Sequence, residues 1–280
     1  MTRVGKPIYW YNGKLIEAQT LELDINDPGL LYGATVFTTL RVYENSLDSS
    51  LTNWQAHCDR LKLSLQVFAW QQPDWQQIYQ GAEILIQHFP VLRITLFPDG
   101  REWIIGRNLP ADLLEKQQNG VKCATAQPEF SRNLPSHKTG NYLSAWLAKN
   151  SVQALAAEEA ILVDGLGNWL ETSTGNLWGW RDGDWWTPPE YVGILPGIRR
   201  SQIIQWLENQ QIQVRQEAWT PELVTEFEAI AYTNSVVEII PIHTVEQASG
   251  SLQYNPHHLN FQQIRRLFSM TTVPFWYTLK

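Results

Sequence analysis

Two cysteines, Cys58 and Cys123, are too few and too far apart for a disulfide framework or a thiolate metal site, and they read as free buried thiols. Histidine is also sparse. The only close pair among the six, His257-His258, would point to different faces of a helix, so no metal site is expected. No apolar run reaches the roughly 20 residues that a membrane helix needs. The opening stretch Met1 to Trp10 lacks the apolar core of a leader, so a soluble cytoplasmic protein is expected. Basic residues are outnumbered, 21 against 28 acidic ones, for a net charge of −7. That balance argues against nucleic-acid binding, which needs basic surface to neutralise phosphates, but leaves local arginines able to hold a small anion.

What the chain does have is apolar and aromatic. Of its 280 residues 44% are hydrophobic and 18% charged, enough for a sizeable core and two lobes. The 14 tryptophans read as core and interface packing. Ile8-Tyr9-Trp10-Tyr11, Asn12-Gly13 and Lys14-Leu15-Ile16 make a hairpin pattern, and Val36 to Tyr43 reads as a strand. Helices are expected from Trp54 to Phe68, from Asp74 to His88, over Tyr142–Leu155 and Gly197–Leu207, from Thr220-Pro221, and over Pro256–Phe268. Leu92–Leu96 and Trp103–Ile105 read as strands paired about Pro98-Asp99-Gly100, and Ala229–Ile242 as one long apolar strand. The polar stretch 110–120 suggests a linker, giving a smaller lobe over 1–112 and a larger lobe over 113–280 that carries Lys138. Strands and helices mixed in both halves imply an α/β or α+β protein.

Several residues have chemical potential that each alone leaves open. Lys138 precedes an apolar helix; a solvated surface lysine fits as well as a buried amine tuned for Schiff-base or base chemistry. Glu171 ends an apolar stretch and is followed by small hydroxyl residues, which suits either a turn or an ionised carboxylate facing a protonated ring nitrogen. Leu195-Pro196-Gly197-Ile198-Arg199-Arg200 brings a glycine to a helix start, where exposed N–H groups favour an anion. Arg60 lies on a helix and could fork a phosphate.

Their order changes the reading. Arginine, lysine, glutamate, glycine-led helix start and Ser/Thr-containing strand, in that sequence, resemble the class IV (fold type IV) aminotransferase family, and the stretch from Ile161 to Arg200 carries the resemblance most specifically. The resemblance implies a two-lobed fold like that of D-amino-acid aminotransferases, a homodimer, and pyridoxal phosphate held as a Schiff base on Lys138. It implies that Glu171 pairs with the pyridine nitrogen. It further implies that Arg60, the Ile198 and Arg199 amides and Ser235 hold the phosphate, and that Thr174 and Asn176 complete the polar surround. Many relatives have threonine where Arg199 stands, so the hydroxyl is lost here and the amide kept.

Within the family, Phe37-Thr38-Thr39-Leu40-Arg41 resembles the aminodeoxychorismate lyases, with Thr38 where transaminases usually carry an acid. The implied reaction converts 4-amino-4-deoxychorismate to p-aminobenzoate and pyruvate, a folate-pathway step, with Lys138 as base. Thr38 and either Arg101 or Arg107 would contact this small-molecule substrate. A transaminase of D- or branched-chain amino acids and a non-catalytic cofactor-binding relative remain open at this point.

Overall fold

The computed structural model describes residues 8–269. Most of the opening stretch that argued against a leader, residues 1–7, lies outside the described residues. The described residues form two compact units: 8–110 with His137–Tyr142, and Ala111–Ser136 with 143–269. The segment bearing Lys138 therefore belongs with the first unit. The sequence placed it in the C-terminal lobe, because chain order says nothing of the strand edge that the segment joins.

The first unit contains β1 (Ile8–Tyr11), β2 (Lys14–Glu17), α1 (Pro28–Tyr32), β3 (Val36–Arg41), α2 (Trp54–Val67), α3 (Trp75–Ile86), β4 (Val91–Leu96) and β5 (Glu102–Arg107). Asn12 and Gly13 both take positive φ, the conformation a two-residue hairpin requires, and join β1 to β2. Asp74 caps α3 by accepting from the Gln76 and Gln77 amides. The sheet order is β2-β1-β5-β4-β3, all neighbours antiparallel, so β3 is an edge strand. Alternation along the strands sends Val36, Leu40, Leu92, Ile94 and Ile104 into a core closed by Leu61, Leu65, Ile78 and Leu85 of the two long helices.

The second unit contains α4 (Leu113–Asn119), β6 (Val121–Thr125), α5 (Leu143–Ser151), β7 (Glu159–Val163), β8 (Trp169–Thr172), β9 (Asn176–Arg181), β10 (Asp184–Thr187), α6 (Ile198–Asn209), β11 (Val214–Gln216), β12 (Ala229–Asn234), β13 (Glu238–Gln247), β14 (Gly250–Gln253) and α7 (Phe261–Ser269). Its sheet runs β11-β10-β9-β12-β13-β6-β7-β8, with β14 beside β13. Trp169, Trp178, Trp185 and Trp219 are fully buried. Trp185 meets Trp178 and Trp180 edge-on, and its indole N–H donates to Gln263. Cys58 and Cys123 are both free and buried; burial pushes the Cys58 thiol up to about 11 and the Cys123 thiol up as well.

Four expectations change. The stretch Ala229–Ile242 is two antiparallel strands, because the Asn234 side chain accepts from the Val236 and Val237 amides and turns the chain there. The polar stretch 110–120 contains α4, whose Lys116 pairs with Asp112 and Glu158. Thr220-Pro221 opens only a short 3-10 turn over Leu223–Glu226. On α5, the apolar residues Leu143, Trp146 and Leu147 face outward, while Ala145 and Ala148 are buried. Among the described residues no helix is long and apolar enough to cross a membrane.

Leu92 is fully buried at the centre of the first unit. Leu92→Ala is expected to cost about 2–5 kcal/mol in urea unfolding. The exposed Leu63→Ala should stay within about 0.5 kcal/mol.

Candidate active site

Lys138 is positioned by backbone pairing. The Phe37 amide donates to the Lys138 carbonyl at 2.8 Å and the Gly140 amide to the Thr35 carbonyl at 2.7 Å, so the segment lies along the open edge of β3. A Cβ on Gly140 would stand 2.1 Å from the Thr35 hydroxyl, so only glycine permits this approach. His137 is anchored by Ser64 at 3.0 Å and by the Phe68 ring. The Lys138 Nζ lies 4.8 Å from the centre of the Phe37 ring and 5.3 Å from that of Tyr142. The amine therefore has aromatic neighbours in this unit.

Phe37 carries a second cation. The Arg93 guanidinium lies 3.6 Å from the centre of the same ring. Strand register puts Phe37, Thr39 and Arg41 of β3, Arg93 and Thr95 of β4, and Trp103, Ile105 and Arg107 of β5 on one face of the sheet. The strand residues on that face include no acid. Burial, then the neighbouring Arg107 charge, lowers the Arg93 pKa to about 10. Arg93 stays charged at neutral pH, and no carboxylate among the described residues compensates it.

The three arginines of this region differ. Arg101, a candidate for the substrate, is engaged on every nitrogen: with Asp27 at 2.5 Å, Asp99 at 2.6 Å and the Tyr11 hydroxyl at 2.7 Å. Burial pushes the Asp27 carboxyl up, but the Arg101 hydrogen bond and charge and the Gly29 amide outweigh it, and the net direction is down. Arg101 thus staples the turns before α1 and β5. Arg107, the other candidate, is exposed at the end of β5.

Thr38 shares the helix-facing side of β3 with Val36 and Leu40 and is fully buried. Its hydroxyl accepts from Arg60 Nη2 at 2.7 Å and lies 2.5 Å from His57 Nδ1. The resemblance gave Thr38 a substrate contact; here the hydroxyl holds Arg60 and His57 on α2.

In the second unit Glu171, on β8 and 2% exposed, receives several donors. Arg132 Nε lies 2.6 Å from Oε1, the Leu195 amide 3.3 Å from Oε1, and Asn176 Nδ2 3.5 Å from Oε2. Asn176 also donates to the Leu195 carbonyl at 2.9 Å. Thr174 donates its hydroxyl to the buried Glu159 at 2.7 Å, and Ser173 donates to the same carboxylate. The Thr174 side chain is therefore tied back, and its carbonyl accepts from the Asn234 side chain at 3.3 Å.

Gly197 precedes α6, and a Cβ there would meet the Asn176 side-chain oxygen at 1.9 Å. Gly197 provides no side-chain cap, no acid lies in the first turn, and Ile198 and Arg199 are buried. A buried helix start without a cap suits an anion on its first amides, and a phosphate fits that need. The Arg199 guanidinium turns to Gln202 and the Phe268 ring, so its amide is the group at the helix start. Ser235 sits in the turn that Asn234 shapes between β12 and β13.

The residues expected at one site thus fall into two groups: Arg60 and Lys138 in the first unit, and Glu171, Thr174, Asn176, Ile198, Arg199 and Ser235 in the second. Arg93 and Arg132 escape sequence reasoning. Nothing in Leu92-Arg93-Ile94 or Ser131-Arg132-Asn133 separates them from surface arginines in the sequence alone.

The family model for amino-transferase class IV matches residues 35–245. An aminodeoxychorismate lyase of Vibrio harveyi is 21% identical over 264 residues, covering 88% of this chain and 94% of the relative. A putative branched-chain-amino-acid aminotransferase of Methanocaldococcus jannaschii is 25% identical over 261 residues, covering 85% and 87%. The PLP-bound form of a hypothetical aminotransferase from Mycobacterium tuberculosis superposes with a TM-score of 0.78 at 18% identity, over 92% of this chain and 97% of that one. The family match spans most of the sequence and both units, and the chain belongs to the class IV aminotransferase family.

Proposed function

We propose that the chain is a pyridoxal-phosphate lyase that converts 4-amino-4-deoxychorismate to p-aminobenzoate and pyruvate. One observation carries this reading beyond the family. Arg93 shares the Phe37 ring with the Lys138 amine, and Arg107 stands on the same acid-free sheet face. A partly buried cation on the ring that the reactive amine also meets, with Arg107 farther along the same sheet face, suits a substrate with one amine and two carboxylates. An apolar amino acid would leave one of the two cations without a partner. Aminodeoxychorismate lyase also stands among the relatives.

Pyridoxal phosphate is the family's cofactor; when bound it captures the substrate amine and its ring accepts the electron pair released by loss of a proton. In this reading Arg60, the Ile198 and Arg199 amides and Ser235 would hold the phosphate. Glu171 would pair with the pyridine nitrogen, and Thr174 and Asn176 would complete the polar surround. Thr38 keeps Arg60 in place through its hydroxyl. Lys138 Nζ would hold the cofactor at rest and, once displaced by the substrate amine, would be free to take the proton from the amine-bearing carbon. The bond from the ring to the enolpyruvyl oxygen would break, the ring would become aromatic, and the departing enolate would take up a proton to become pyruvate. Aromatisation drives the elimination, so the residues need only fix geometry and supply the base.

Cofactor-loaded protein is expected to release p-aminobenzoate and pyruvate in equal amounts with no keto acid present. Turnover that requires a keto acid and yields its amine would instead establish a transaminase. Lys138→Ala should lose both turnover and the visible absorbance of bound cofactor; retained absorbance would remove Lys138 from its role. Arg93→Leu should raise KM at least about tenfold, the order expected for a lost charged hydrogen bond. Arg101→Leu should instead lower the unfolding midpoint, because it strands the buried Asp27. An unchanged KM in Arg93→Leu would refute the carboxylate assignment.

A further inference from the structure

Glu171 is not alone in its pocket of the second unit. It lies on β8 opposite Leu162 of β7, almost wholly out of water. A carboxylate in such a place tends to take up a proton and become neutral unless something holds its charge. Arg132 supplies that hold. Its Nε donates to Oε1 at 2.6 Å, and the two side chains are only 11% and 2% exposed. The arginine follows the short helical turn Pro128–Phe130, and Phe130 is packed against the apolar cluster of Ala124, Ala148 and Leu162, which fixes the start of the segment. A second contact, from Nη2 to the Ser173 carbonyl at 3.4 Å, aligns the guanidinium across the loop that leaves Glu171.

We infer that Arg132 is a positioning residue whose charge fixes the ionisation and orientation of Glu171, and through it the protonation of the cofactor's pyridine nitrogen. This rests on the reading of Glu171 proposed above. A carboxylate held ionised by a neighbouring guanidinium is a weaker base than one left alone in an apolar site. It accepts a hydrogen bond from the ring N–H without removing the proton. The Leu195 amide and Asn176 reinforce the same orientation from the opposite strand and loop. Take the guanidinium away, and the buried carboxylate competes for the proton. The ring then loses part of its capacity to accept electrons, which slows the proton-transfer step and leaves substrate affinity nearly untouched.

The test uses the full chain loaded with pyridoxal phosphate labelled with 15N in the ring. The variants are Arg132→Gln, Arg132→Lys and Glu171→Gln. The ring-nitrogen NMR shift reports its protonation, and steady-state kinetics with aminodeoxychorismate report kcat and KM separately. The expected result is a protonated nitrogen in the parent and a shift toward the neutral value in both Arg132→Gln and Glu171→Gln. Arg132→Lys, which keeps the charge, should restore the parent shift. In Arg132→Gln kcat should fall at least about tenfold while KM moves less than about threefold, the pattern of an interaction made mainly in the transition state. If Glu171→Gln moves the nitrogen shift and Arg132→Gln leaves it at the parent value, the inference about Arg132 is overturned and the Glu171 assignment stands. Should neither variant move it, both fall. If Arg132→Gln does not fold, Arg132→Lys decides: a neutral nitrogen in that folded variant would show that charge is not what Arg132 contributes.

Discussion

The backbone pairing of residues 138–140 with the edge of β3 is the constraint from which the rest of the first unit's candidate site follows. An edge strand presents unpaired N–H and C=O groups, and here a non-strand segment takes them up. Because the Lys138 carbonyl and the Gly140 amide are bonded to β3 and the preceding His137 is anchored by Ser64, the lysine's Cα has little freedom, and its side chain meets Phe37 and Tyr142. Gly140 is needed because the chain passes too close to Thr35 for any side chain. The strand then divides its work by alternation. Phe37, on one face, gathers the Lys138 amine and the Arg93 guanidinium; Thr38, on the other, gathers Arg60 and His57. Two adjacent residues organise two separate sets of side chains only because successive side chains in a strand point opposite ways.

The second unit applies a different device. There the segment from Glu171 to Asn176 is held by buried polar groups rather than by a strand edge. Glu159, 1% exposed, accepts the hydroxyls of Ser173 and Thr174 and pairs with Lys149, while Arg132 and Asn176 hold Glu171. Buried networks of this kind are stable only when their members are paired, since an unmatched charge in low dielectric is costly. Completeness makes the segment rigid. It also explains Thr174, whose side chain and backbone are both tied into the loop.

Features set by neighbouring residues were legible in the sequence. Asn12-Gly13 encodes the hairpin, Asp74 the start of α3, and Gly197 the uncapped start of α6, because each acts through its own backbone. The order of Arg60, Lys138, Glu171 and Gly197 pointed to the family through motif spacing. The turn at Asn234 was hidden, because Val236 and Val237 continue an apolar pattern while an asparagine side chain bends the chain. The helix over Leu113–Asn119 was hidden by its polarity; its Lys116 is satisfied by Asp112 and by Glu158 from another part of the fold. The outward face of α5 reads in sequence like a core stripe, since periodicity reports one apolar face and not what lies against it. Arg132 was illegible because its meaning depends on Glu171, 39 residues later.

The contrast between Arg93 and Arg101 shows why nearness to a recognisable turn does not mark an arginine for a ligand. Both belong to the same small sheet region, and both are partly shielded from water. Arg101 is committed: three oxygens take its three nitrogens, and Asp27 becomes easier to ionise in return. Three of its five N–H donors are spent on holding the fold, and removing it strands a buried acid. Arg93 is in the opposite condition. Burial and Arg107 both work against its charge, an aromatic face is its main neighbour, and its described contacts include no carboxylate. The Phe37 ring and the Thr95 hydroxyl offset part of that cost, and in the proposed reading a bound carboxylate would relieve both the desolvation and the repulsion at once. The degree of charge compensation, which only the folded arrangement reveals, separates an arginine that builds the protein from one that is kept for something the protein binds.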